Sequence, residues 1–207
     1  MTRSLLPGIL AMAATVVASN ILVQYLLGPW LTWGALTYPV AFLVTDLINR
    51  LQGAAAARRV VLAGFVVGIA CSLIGSQIEG AAGPLVTLRI ALGSGTAYLI
   101  GQLTDVAVFD RLRAGRWWRA PLVSTLISSS LDTAIFFSIA FAASLSWIAP
   151  SDDVAWAGEM LPLLGLGPMV PLWVSLACAD WLVKLALAAV ALVPFRLAVG
   201  KLTQRPV

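Results

Sequence analysis

Six stretches of this chain, at about 5–27, 31–49, 59–79, 85–110, 118–146 and 166–195, are apolar almost throughout. The hydrocarbon core of a bilayer is about 30 Å thick, so a spanning helix needs roughly 20 such residues. The intervals between them hold turn chemistry: Gly28-Pro29, Gly53, Gly80 to Pro84, Gly115, and Pro150 through Gly167-Pro168. Only 11% of the residues are charged, against about 25% in a soluble domain, so one compact core could not hide the apolar surface. The expected fold is an all-α membrane protein, a single transmembrane domain over residues 1–207 built as a bundle of about six helices.

The charges orient this bundle. Arg3 precedes the first stretch; Arg50, Arg58 and Arg59 flank the second interval; Arg111, Arg113, Arg116 and Arg119 fill the fourth; Arg196, Lys201 and Arg205 close the chain. These are eleven of the thirteen basic residues. The alternate intervals carry Glu79, Asp152, Asp153 and Glu159 and no Lys or Arg. Basic residues mark cytoplasmic loops, so both termini are expected inside, N-in and C-in. The net charge of +4 then reflects membrane orientation and implies no nucleic-acid partner. Arg3 followed by an apolar run with Ala18-Ser19 also resembles a signal peptide, but the run continues through Leu27, longer than a signal core, and is expected to be retained.

Several chemistries are excluded. There is no histidine, which removes Ser-His dyads, His metal sites and His proton relays. No Walker loop, Gly-x-Ser-x-Gly elbow or His-Glu-x-x-His motif occurs. No cofactor or metal is expected. Cys71 and Cys178 lie in apolar runs and read as free packing residues. Trp30, Trp33, Trp117, Trp118 and Trp147 fall near span ends, where indoles anchor at the interface, Trp33 being the one with a claim to a ligand.

Ionisable groups at bilayer depth cost roughly 2.5–3.5 kcal/mol each even on the lenient insertion scale. The spans nevertheless contain Asp46, Arg89, Asp105, Asp132, Asp180 and Lys184. Asp180 and Lys184 are four apart, neighbours on one helix face, and read equally as a structural pair or a functional one. Asp132 has no basic neighbour in its own span and shares a face with Ser124, Ser128 and Phe136, a pattern that suits a cavity wall. Asn20 with Gln24, and Gln102 with Asp105, add hydrogen-bonding capacity that serves either helix bridging or a ligand. The small-residue stripes Gly64, Gly68, Ser72, Ser76 and Gly93, Ala97, Gly101 read as helix seams.

The run from Ser19 to Gln24, then Thr32-Trp33-Gly34-Ala35 and Tyr38 through Leu47, resembles the queuosine precursor transporter family, of the vitamin-uptake-transporter group. The likeness continues at Arg89-Ile90-Ala91, Gly101 through Val106 with Phe109, Arg111-Leu112-Arg113, Trp117-Trp118, Ser124-Thr125-Leu126, Asp132 through Phe137, Ala140-Phe141, and Asp180-Trp181 with Lys184. These pieces keep their order over about residues 19 to 190; the 147–164 interval and both termini lie outside the likeness.

The resemblance implies a non-enzymatic, multi-pass carrier of the bacterial inner membrane that imports 7-cyano-7-deazaguanine and 7-aminomethyl-7-deazaguanine for tRNA modification salvage. A guanine-type edge offers N–H donors to a carboxylate and a carbonyl acceptor to Arg, Lys or an amide, and its ring stacks on aromatic faces. Asp132 is the first candidate acceptor. Arg89 and Gln102 come next as orienting donors, with Asn20, Gln24, Asp46, Asp105 and Ser128 around them and Phe136 or Trp33 as stacking faces. Asp180 and Lys184 would line the site or gate it. The partners implied are the small base, the lipid bilayer and a second copy in a homodimer. Two other readings stay open: the binding subunit of an ATP-driven uptake complex of the energy-coupling-factor type, and an intramembrane enzyme using carboxylates.

Overall fold

Proline and glycine set the joints of this chain. In a computed structural model that describes residues 4–80 and 83–203, helix α1 (Leu6–Leu22) opens with Pro7 in its first turn, where a missing N–H is harmless. It stops before the expected 27, because Gly28 adopts φ 70° and turns the chain into a short hairpin of β1 (Leu26–Leu27) and β2 (Leu31–Thr32). The second apolar stretch is broken. A single turn, α2 (Trp33–Thr37), is followed by α3 (Val40–Gln52), with Pro39 at the junction unable to donate to the preceding turn.

Gly53, at φ 87°, makes the whole connection from α3 to α4 (Ala54–Gly75). The third span thus starts at Ala54 and not at 59, since Ala54 to Ala57 are strong helix formers and carry it back to the glycine. A hairpin of β3 (Glu79–Gly80) and β4 (Gly83–Pro84) leads to α5 (Leu88–Leu112), capped by the Thr87 hydroxyl, which accepts from the Ile90 N–H. Helix α6 (Arg119–Phe141) gives way at Ala142 to a run of 3-10 turns. Then β5 (Met160–Pro162) and β6 (Met169–Pro171) form a hairpin around Gly165 and Gly167, so α7 (Leu172–Thr203) begins six residues after the expected 166. Arg3 and Arg205 lie outside the described residues.

Among the described residues the fold is all-α apart from these three hairpins. Helices α4, α6 and α7 are long and apolar enough to cross a membrane; α5 is as long as α4 and α6 but less apolar, and α1 is apolar but shorter. Polarity runs opposite to that of a soluble protein. Leu62, Val66 and Leu73 of α4 and Val190, Val193 and Leu197 of α7 face outward, while Thr45, Asn49, Gln102, Asp105, Ser124 and Ser128 are buried. That arrangement suits a lipid surround, where polar groups gather inside the bundle.

The glycines of the two small-residue stripes lie at helix seams. Gly64 lies against Met12 and Tyr98, and Gly68 against Val16, bringing α4 onto α1 and α5. Helix α5 makes its most extensive contact with α6. A Cβ at Gly93 would sit 3.3 Å from the Phe136 carbonyl oxygen, and one at Gly101 only 3.2 Å from Asp132 Cβ. Those glycines set how deeply Asp132 is seated.

Candidate functional site

A cavity of about 500 Å³ opens among α1, the β1–β2 hairpin, α2, α5, α6 and α7. Its volume falls in the range of small-molecule sites, roughly 300–1,000 Å³. The break at Pro39 positions one wall: because α2 and α3 are not one continuous helix, Tyr38 turns toward α6, and its hydroxyl donates to Asp132 Oδ1 at 3.0 Å. The other oxygen of Asp132 accepts from Lys184 Nζ at 2.6 Å. Lys184 also meets Asp180 Oδ2 at 2.6 Å, the helical neighbour pair on α7. Thr133 completes the group: its hydroxyl accepts from Lys184 at 3.0 Å and donates to Asp180 Oδ2 at 2.8 Å.

The cavity thus rests on two carboxylates and one ammonium, a formal surplus of one negative charge. Burying such a group is worthwhile only when partners and geometry are good, and here each Asp132 oxygen has a donor. Asp180 Oδ1 has no hydrogen bond among the described residues, and its side chain keeps 13% exposure into the cavity. It is the most available acceptor on this floor.

Aromatic rings continue the lining along α6, one turn beyond Asp132. Phe136 and Phe137 meet edge to face at 5.1 Å between centroids, Phe141 touches both, and Trp156 reaches in from the α6–α7 connection to lie 5.5 Å from Phe141. Toward the mouth, the Asn20 amide nitrogen donates to the Val16 carbonyl, which leaves its oxygen for the cavity, and the Gln24 amide makes no hydrogen bond among the described residues.

Of the twelve residues expected at a site, Asn20, Gln24, Asp132, Phe136, Asp180 and Lys184 line this cavity. Trp33, Asp46, Arg89, Gln102, Asp105 and Ser128 do not. Arg89 is fully buried elsewhere: its Nε donates to the Ile139 carbonyl and its Nη2 to the Ala142 carbonyl. It therefore clamps the end of α6, satisfying carbonyls left over where that helix stops. The Asp152 carboxylate caps the start of α5 by accepting from the Arg89 backbone N–H at 3.1 Å. Trp33 faces outward, and Trp30 takes the place in the cavity wall.

Tyr38, Phe141 and Trp156 join the cavity without having been singled out. Tyr38-Pro39 was the available signal, since a proline inside an apolar run breaks the helix and redirects the residue before it. Trp156 had none, because a loop residue's position depends on how that loop folds back.

Residues 32–199 match the protein family described as "Putative vitamin uptake transporter". The chain is 36% identical over 193 residues to the "Queuosine precursor transporter" of Escherichia coli, an alignment covering 86% of this chain and 78% of that protein. It is 36% identical over 174 residues to the "Probable queuosine precursor transporter" of Haemophilus influenzae, covering 79% of this chain and 66% of the relative. A protein of the same printed name from Bacillus subtilis is 28% identical over 197 residues, with 86% and 75% covered. No solved structure matches the chain.

Proposed function

Because the chain belongs to the vitamin uptake transporter family that includes the queuosine precursor transporters, we propose that it imports queuosine precursors across the bacterial inner membrane. The relatives' names describe transport, not catalysis. In this reading six spans cross the bilayer with both termini inside: α1, the broken pair α2–α3, α4, α5, α6 and α7. The grouping of basic residues at one end supports it. Arg50 donates to the Arg113 carbonyl at 2.7 Å, and Arg196 lies 4.9 Å from the Trp117 ring. The acidic residues Glu79, Asp152, Asp153 and Glu159 belong to the hairpins and turns at the other ends of these helices.

The observation that carries the proposal is the Asp132–Lys184–Asp180 floor beneath an aromatic wall. A 7-deazaguanine lying in the cavity stacks on Phe136 or its neighbours and donates its ring N–H and amine to Asp180 Oδ1 and to the remaining lone pairs of Asp132. The amides of Asn20 and Gln24 lie toward the mouth. The surplus negative charge favours the cationic 7-aminomethyl compound over the neutral 7-cyano one. A homodimer, each protomer holding its own cavity, is compatible with this arrangement.

The test is binding and uptake of both labelled bases by the purified chain in proteoliposomes, with Asp180→Asn and Asp132→Asn alongside. Loss of binding in both variants is expected, with the aminomethyl compound losing more. Unchanged binding in both would refute the site. Tight binding by the unaltered chain with no net uptake would instead mean that transport needs a separate ATPase.

A further inference from the structure

Two carboxylates remain that the substrate cavity does not use. Asp46 of α3 and Asp105 of α5 are buried at 3% and 0% exposure, and neither lines the large cavity. They lie against the same face of α6, Asp46 beside Ser124 and Asp105 beside Ser128, one turn apart. Around them are hydroxyls: Ser128 Oγ donates to Asp105 Oδ1 at 3.2 Å, Ser124 Oγ approaches Asp46 Oδ1 at 3.5 Å, and Thr125 is also in reach of Asp46.

No cation answers them among the described residues. Arg50, one turn along α3, donates to the Arg113 carbonyl; Arg113 pairs with Asp110 at the end of α5; Arg58 and Arg59 on α4 and Arg119 on α6 are exposed. On α7, Lys184 is engaged by Asp132 and Asp180, and Arg196 lies over Trp117. Two ionised carboxyls placed so near, in a buried place without a cation, repel each other and lack solvation, so one of them holds a proton.

Two separate observations point the same way. Asp105 Oδ2 is fully buried with no hydrogen-bond partner, although an acceptor atom so placed needs a donor. A hydrogen on Asp46 supplies one. Moreover, Asp46 and Thr125 line a second, smaller cavity of about 180 Å³ between α3, α6 and α7, otherwise mostly apolar. This cavity reaches Asp46 separately from the larger one.

We propose that Asp46 and Asp105 share one bound proton and that this pair is where a proton gradient drives transport. The coupling role rests on the transport reading above; the shared proton does not. Helix α6 links the two sites mechanically, for Ser124, Ser128 and Asp132 follow one another at intervals of four on one face. Movement of Asp132 as the base binds shifts the hydroxyls that donate to the pair. A hydronium ion from outside water transfers its proton to one carboxylate, leaving water; the carboxylic acid later returns that proton to water on the cytoplasmic side.

The experiment uses the purified full chain with Asp46→Asn and Asp105→Asn, each near in shape to a protonated carboxyl. Infrared spectroscopy of the unaltered chain at neutral pH should show a protonated-carboxyl stretch that both variants lose. Its absence from the unaltered chain, or its persistence in both variants, would overturn the shared proton. In proteoliposomes, an inward proton gradient should raise net uptake of 7-cyano-7-deazaguanine several-fold. Both variants should keep binding and counterflow exchange while losing that response. A response retained in both variants, or uptake driven by sodium with the proton gradient inert, would overturn the coupling role. Failure of the unaltered chain to bind the base would sink the transport reading alone, since the infrared result stands apart from it.

Discussion

The bundle holds its carboxylates in two ways, about one helical turn apart along α6. At the cavity floor, Asp132 and Asp180 share Lys184 and keep contact with the open space above. Beneath it, Asp46 and Asp105 have hydroxyls beside them and, among the described residues, no cation. The first arrangement pairs its carboxylates with an ammonium and leaves one acceptor free, which suits recognition of a ligand with N–H donors. The second lowers its own charge by holding a proton, which suits exchange with water. A buried acid is therefore read less by its depth than by what stands beside it.

The comparison breaks most violently at Lys184. Lys184→Met leaves two carboxylates in contact with nothing positive, turning the floor into a copy of the pair beneath it. Removing one member of a buried ion pair costs about 3–5 kcal/mol, and the loss should appear in unfolding of the purified chain in detergent, together with loss of base binding. Adding Asp132→Asn and Asp180→Asn to that variant should recover much of the stability and none of the binding. If the single variant is as stable as the unaltered chain, the floor is not the charged unit described here.

Closer packing tests both sites together. Gly101→Ala places a methyl 3.2 Å from Asp132 Cβ, on the seam that carries both levels of α6. Overpacking of this kind costs about 1–3 kcal/mol. It should weaken base binding and also blunt the response to a proton gradient. An effect on binding alone would show that the two levels move independently.

How much of this was legible in the sequence depends on how many helices a contact crosses. Asp180 with Lys184, and the seam Gly93, Ala97, Gly101, follow from spacing within one helix, and the structure holds them as read. The union of Lys184 with Asp132 needs the register of α6 against α7, which no spacing contains. The stripe Ser124, Ser128, Asp132, Phe136 divides between two sites because the cavity ends at Asp132. Arg89 was expected to orient a ligand, since a buried guanidinium in a span asks for an anion. Two carbonyls at the end of α6 answer it instead, and only the position of that helix end reveals them. Trp30 and Trp33 exchanged places because the span ends expected on either side of Gly28-Pro29 pair instead as a hairpin over residues 26–32.

Tyr38 sharpens the contrast from the floor's side. Tyr38→Phe removes the donor to Asp132 Oδ1 and leaves the ring, 5.3 Å from Lys184 Nζ, in place. A hydrogen bond to a charged group is worth about 1.5–3 kcal/mol, so base binding should weaken by roughly one to two orders of magnitude. The proton-gradient response per bound base should not change, since Tyr38 has no hydrogen bond to Asp46 or Asp105. Titration of the base into the detergent-purified variant, beside gradient-driven uptake, separates the two.

The smallest and most selective change is Ser128→Ala. Ser128 Oγ donates to Asp105 Oδ1 at 3.2 Å and lies 2.7 Å from the Ser124 carbonyl in its own helix. One hydroxyl hydrogen serves these acceptors in turn, so its removal deprives the ionised form of the pair of a donor and costs the helix nothing it requires. The expected loss is about 1 kcal/mol, felt only when Asp105 is charged, so the variant should hold its proton more firmly. Gradient-driven uptake should then slow by a factor of about 5, while equilibrium binding of the base, one turn above, stays as it was. Were binding to fall as far as uptake, Ser128 would belong to the cavity floor, and the line between the two sites would have to be drawn below it.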